Sequence, residues 1–199
     1  MQSVLQLTES YVRQLLIDKL PKEYYYHDLN HTVEVVDTAK IIALNSGLTD
    51  SDIESVLIAS WFHDSGLVEV YNGHEDVSVT NAEVFLSGLT RSRKQINLIK
   101  SIILATKMPH TPVNILEEII SDADISHMGK DIFDARSSQL RMEWEFVYNK
   151  KYTNSEWLEI NINFLRENVF FTNYCKNNMN ETRLKNLKIY TQRLQLINN

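Results

Sequence analysis

His63 and Asp64 stand side by side at the end of an apolar run, Val56 to Phe62, and both are metal-ligating residue types. Successive helical residues point about 100° apart, so one ion takes both only from beyond the edge of the turn. Other segments must then complete its shell, and the chain offers His31 upstream and Asp122 or Asp124 downstream. Imidazole with carboxylate suits divalent ions such as Mn, Mg, Fe, Co, Ni or Zn. An ion held by three or four such side chains keeps positions open for water and a phosphoryl oxygen, and the expected chemistry is hydrolysis. An imidazole left unpartnered after Trp61-Phe62 would be costly.

The elements that must position these residues read as helices. Five glycines and three prolines in 199 residues leave too few turns for a sandwich or barrel. The periodicity predicts a first helix through Val12, Leu15, Leu16 and Leu20, stopped by Pro21. A second runs from about Asp28 to Asn45, with Val33, Val36, Ile41 and Leu44 inward and Gly47 as its C′ residue. Asp50 reads as the N-cap of a third, carrying Ile53, Val56, Leu57 and Trp61. That helix is apolar all round from Val56 to Phe62, as a buried central helix is, and it ends at His63-Asp64. Residues 65–74 are expected to be a site loop. Further helices are predicted at about 75–89, 93–106, 113–127, 130–149, 154–168 and 173–197, followed by a frayed tail at Asn198 and Asn199. No repeat or linker is visible, so residues 1–199 are expected to form one all-α domain.

His31, His63-Asp64 and the later aspartate, spread in that order over several helices, resemble the HD superfamily of metal-dependent phosphohydrolases. The stretch Leu57 to Gly66 is similar to that family's apolar-Ala-x-x-x-His-Asp-x-Gly helix end. Asp122-Ala123-Asp124-Ile125-Ser126-His127-Met128 resembles the segment that supplies the last ligand. The resemblance covers residues 24–130 or so and implies a compact multi-helix bundle, with the helices from about 130 to 197 added. It implies a metal held by His31, His63, Asp64 and Asp124. Asp124 is preferred because the family's ligand usually follows an alanine, with a large apolar residue four positions later, here Met128. Asp122 lies about 200° away on the helix, so the two cannot share one ion; it is kept as the alternative.

Tyr26-His27-Asp28-Leu29-Asn30-His31 resembles the Tyr-His-Asn-x-x-His segment of cyclic nucleotide phosphodiesterases, with Asp28 in place of the asparagine. That likeness implies His27 as the acid that protonates the leaving oxygen, and the four-residue spacing puts it on the face of His31 if the segment is helical. Its alternative is a residue preceding a capping aspartate. Some HD hydrolases place a histidine or glutamate after the His-Asp helix, so His74 and Glu75 are catalytic candidates; as first-turn acids, Glu75 and Asp76 also suit a helix dipole. Dinuclear relatives of the HD-GYP type carry a later His-His pair that Ile103-Leu104-Ala105-Thr106-Lys107 lacks, which implies one firmly bound ion, with a second, mostly hydrated ion bridged by Asp64 as the alternative. Lys107 is the substrate-binding candidate, with Lys130 and Arg136 as further cations. His110, flanked by Pro109 and Pro112, reads as structural or exposed, and His127 as either a neighbour of the site or a helix-end residue. Trp144, Trp157, Phe164 and Phe170-Phe171 read as packing.

The formal net charge of −6 argues against a general nucleic-acid binder. It does not oppose a small anion, whose local field a bound cation would dominate. A single cysteine, Cys175, fits a reducing cytosol. The start of the chain has no charged segment before an apolar one, and no apolar run is long enough for a membrane span. The expected protein is cytoplasmic and acts on a small phosphorylated molecule, a nucleotide among the choices. A homodimer face on the aromatic C-terminal helices is left open.

Overall fold

A computed structural model describes residues 2–89 and 91–198. Ten α-helices and no strand lie among the described residues, as the all-α reading expects. The expected tail residue Asn199 is outside them, as is the side chain of Asn198. By internal contacts the chain divides into two compact units, Met1–Lys22 with His27–Asp124, and Glu23–Tyr26 with Ile125–Asn199.

The first unit contains α1 (Val4–Lys19), α2 (Leu29–Leu44), α3 (Asp50–Phe62), α4 (His74–Ser87), α5 (Arg93–Leu104) and α6 (Ile115–Asp124). At its centre is α3, which packs against α1, α2, α5 and α6. Every residue from Ser55 to Phe62 is buried, so this helix has no polar stripe. Its N-cap is Thr49 rather than the expected Asp50: the Thr49 hydroxyl accepts the Asp52 amide at 3.2 Å. Asp50 is instead a first-turn acid, favoured there by the helix dipole.

The inward face of α2 agrees with the sequence reading at Val36 and departs from it at Ile41 and Leu44. Ile41 and Leu44 are 47% and 61% exposed, while Val35, Val36, Ala39, Ile42 and Ala43 are buried. α2 is packed by both α3 and α6, and these neighbours select a face turned by about one residue, or 100°. Gly47 does adopt the left-handed conformation, φ 67°, but two residues beyond the Asn45 C-cap. α5 follows a Ser92–Gln95 capping box and buries Ile96, Ile99, Ile102 and Ile103 on one stripe.

The expected loop at 65–74 begins with a buried 3₁₀ turn, Ser65–Val68. Gly66 makes the close packing possible, because a Cβ there would lie 2.1 Å from the His74 carbonyl oxygen and 2.8 Å from the Ser78 amide nitrogen. Gly73 supplies the left-handed turn, φ 76°, that starts α4 at His74.

The second unit contains a 3₁₀ turn, Ser126–Gly129, then α7 (Phe133–Val147), α8 (Asn154–Glu167), α9 (Asn173–Asn178) and α10 (Asn180–Asn198). The single last helix expected over 173–197 is broken at Met179 into α9 and α10. The aromatic residues here pack as expected. Trp157 and Phe170 are buried, and Trp157 donates its indole N–H to Ser137 Oγ at 2.9 Å. The Tyr26 amide donates to the buried Glu143 carboxylate at 2.8 Å. No helix among the described residues is long and apolar enough to cross a membrane.

Candidate metal centre

Five of the chain's six histidines, His27, His31, His63, His74 and His110, belong to the first unit. Local structure sets each site residue separately. Asp28 caps α2, accepting the His31 amide at 2.8 Å, which fixes His31 in the first turn. His63 is the C-cap of α3, and Asp64 opens the 3₁₀ turn. His74 is the first residue of α4, and Asp124 is the last of α6.

These side chains converge. Asp124 Oδ1 lies 3.2 Å from His31 Nε2 and 3.7 Å from His63 Nε2. Asp64 Oδ2 lies 3.5 Å and 3.2 Å from the same two nitrogens. Two ligands at ~2.1 Å from one ion stand ~3.0 Å apart at a right angle and ~3.4 Å apart at the tetrahedral angle. The observed separations fall close to that range. His31, His63 and Asp124 form a cluster with ligand atoms all within 4.8 Å of one another. The other Asp64 oxygen, Oδ1, faces His74 Nε2 at 3.2 Å. His27 precedes α2 rather than lying within it, yet its ring is 5.6 Å from that of His31 and 6.2 Å from that of His74. Asp122, on the same helix as Asp124, is fully buried.

Two observations make the cluster suit a cation. His63 Nε2 and Asp64 Oδ2 are buried and face each other at 3.2 Å, where a shared proton or a cation is needed to satisfy both. The remaining nitrogens are already committed: His63 Nδ1 donates to the Ser60 carbonyl at 2.7 Å, and His74 Nδ1 to the Tyr71 carbonyl at 2.7 Å. A carbonyl only accepts, so each Nδ1 carries a proton and each Nε2 is turned toward the carboxylates. That is the tautomer-setting arrangement usual behind metal-bound histidines.

With no cation, protons must hold these groups together. Burial alone would lower His63 and His74, but the Asp64 carboxylate outweighs it and pushes each up to about 9. Asp124 and Glu75 add to the shift at His63 and His74 respectively. Burial alone would raise the carboxyls. Instead His63, His74 and His27 hold Asp64 well below its ordinary range, and His31 with His63 brings Asp124 down to about 2.

The raised imidazoles stabilise the metal-free fold fully below their ordinary 6.5, and this contribution disappears as pH rises through about 9. Asp124 stabilises it above the ordinary 3.8, and its contribution disappears as pH falls toward about 2. Melting of the chelator-treated protein, followed by circular dichroism, should therefore be highest between pH 3.8 and 6.5 and fall on both sides. A melting temperature that climbs from pH 6.5 to 9 would contradict this pairing.

The other candidates are placed as follows. Glu75 has one carboxylate oxygen buried without a hydrogen bond. Lys107 is ion-paired with Asp76 at 3.1 Å, both side chains more than half exposed, two residues from His74. His110 takes the structural rather than the exposed of its two expected readings, and it lies nearer Asp124 than its loop position suggested. Its side chain is 2% exposed, with Nε2 3.9 Å from Asp124 Oδ2 and 3.1 Å from the Thr106 carbonyl oxygen. Only its place in a short loop leading to the helix of Asp124 hinted at this.

Three further residues belong to the second unit. His127 bonds the Tyr26 hydroxyl at 3.1 Å and stacks on Phe133 and Phe164. Arg136 is buried, donates to Gln139 at 3.0 Å and lies over the Tyr26 ring. Lys130 sits between the 3₁₀ turn and α7, and its carbonyl accepts from Asn186. No protein-family model matches this chain, and no curated protein or solved structure matches it either.

Proposed function

We propose that His31, His63, Asp64 and Asp124 hold one divalent metal ion, and that the chain is an HD-type phosphohydrolase acting on a nucleotide or another small phosphate ester. The observation that carries this reading is the meeting of two imidazoles and two carboxylates at ligand-like distances, with their facing atoms buried. A bound divalent ion would lower the pKa of water and neutralise charge on the phosphate.

The residues divide the remaining work. Hydrolysis forms a bond from the water oxygen to phosphorus and breaks the ester P–O bond. Asp64 would polarise the attacking water, whose proton passes to solvent, and His74 on Oδ1 holds the carboxylate's orientation. His27 or His74 delivers a proton to the leaving oxygen, a role suited to imidazole. Glu75, whose charge favours protonated His74, keeps that proton available. Lys107 would exchange Asp76 for a phosphate oxygen, at little cost because the exposed pair is weak.

The proximity of His27 to His31 favours a cyclic nucleotide phosphodiesterase as the second reading. A panel of mononucleotides, cyclic nucleotides and an aryl phosphate, each with Mn²⁺, Mg²⁺, Co²⁺ or Ni²⁺, tests both. Metal-dependent turnover supports the hydrolase, and a diester preference selects the second form. Stoichiometric metal with no turnover of any ester would replace both with a non-catalytic nucleotide- or partner-binding module.

A further inference from the structure

The turn that follows Asp64 is tied to the helix that begins with His74. The Gly66 amide donates to Ser78 Oγ at 2.8 Å, a buried bond across twelve residues. Asn81, one turn further along α4, donates its side-chain amide to the Ser65 carbonyl at 3.2 Å. Gly66 has no side chain to keep the two segments apart, and its missing Cβ would overlap the His74 carbonyl. Ser78 is completely buried and Asn81 partly so. Neither belongs to the cluster of ligating side chains.

The consequence lies at the two ends of this tie. Asp64 immediately precedes the turn, and His74 opens the helix. The separation between Asp64 Oδ1 and His74 Nε2, 3.2 Å, therefore depends on how the 3₁₀ turn sits on α4. His74 is steadied on its other side by Tyr71, whose carbonyl belongs to the same connecting segment. A shift of α4 by a fraction of an ångström along the turn would be felt directly in this contact.

We propose that Ser78 is a positioning residue of the site: by accepting the Gly66 amide it sets His74 against the second oxygen of Asp64, with Asn81 as a weaker second tie. The assignment builds on the phosphohydrolase reading, in which His74 orients Asp64 and supplies a proton. Ser78 touches neither substrate nor ion in that scheme. Its hydroxyl acts through the backbone of Gly66 at one end and through α4 at the other.

The test compares the full-length parent protein with Ser78→Ala and Asn81→Ala. Each is loaded with Mn²⁺ for kinetics, and each is prepared metal-free with ¹⁵N-labelled histidine for NMR. Ser78→Ala should retain stoichiometric metal and lose about tenfold in kcat with KM little changed, the size typical of losing a supporting hydrogen bond behind a metal site. The His74 ring nitrogen signals should shift, while those of His127, in the other unit, should not. Asn81→Ala should move the same signals in the same direction by less.

Lowered melting with unchanged His74 signals and kcat within twofold of the parent would make Ser78 merely structural and overturn the proposal. If Ser78→Ala does not fold, Asn81→Ala gives the same reading, and unmoved His74 signals there overturn it too. If the parent turns over no ester, the phosphohydrolase reading fails by that result alone, and the His74 signals still decide whether Ser78 positions the ring.

Discussion

His63→Ala is expected to leave the purified protein with less than about a tenth of the divalent metal of the parent and to lower phosphoester turnover by on the order of a thousandfold. The side chain is completely buried, and its Nε2 is 3.2 Å from Asp64 Oδ2 and 3.7 Å from Asp124 Oδ1. Removing it takes away one of the two imidazoles that face the carboxylates and leaves Asp64 Oδ2 beside a cavity. An ion held by His31 and the two carboxylates alone would be more hydrated and less firmly bound. The several kcal/mol that a metal contributes to a hydrolytic transition state would be lost with it. Elemental analysis beside kinetics at matched protein concentration makes the measurement, and circular dichroism verifies that the helices persist. A variant with parental metal content would remove His63 from the centre, and a parent with no divalent metal would remove the centre itself.

Chelation of the parent should lower its melting temperature by about 5–10 °C, and returning Mn²⁺ or Co²⁺ should restore it. A ligand present at a hundred times its dissociation constant stabilises the native state by about 2.7 kcal/mol, and each kcal/mol moves the melting temperature of a chain this size by about 2–4 °C. The physical source is local. Without a cation the two aspartates and the histidines cohere only through shared protons. A cation satisfies them together. Identical melting with and without chelator, after the metal has been shown to be absent, would argue against a structural contribution from any ion.

Much of the local structure is legible in the chain. Val56 to Phe62 has no polar position, so this segment has to be central, and it ends where His63-Asp64 begins. Asp28 caps α2 and Ser92 caps α5 through side-chain chemistry that depends only on nearby residues. The residues singled out for the site, from His27 to Asp124, fall in one compact unit. What could not be read was rotation and distance. Ile41 and Leu44 belong to a plausible apolar stripe, yet α3 and α6 bury the neighbouring stripe instead. A helix with two packing partners is turned by both, and periodicity reports only that an apolar face exists.

The same division holds at the site. The chain by itself determines the helical character, the position of His63-Asp64 at the end of a buried helix, and the supply of imidazoles and carboxylates, because capping and periodicity act over a few residues. It also determines that Asp122 and Asp124 cannot serve one ion, since helical geometry turns them apart. Tertiary packing decides that Asp124 Oδ1 meets His31 and His63, that His74 takes the second oxygen of Asp64, and that His110 lies buried beside Asp124 rather than exposed in its loop. These contacts join residues from 10 to more than 90 positions apart in the chain. Local rules set the direction of a side chain relative to its own helix, and only the packing of one helix on another sets where that direction leads.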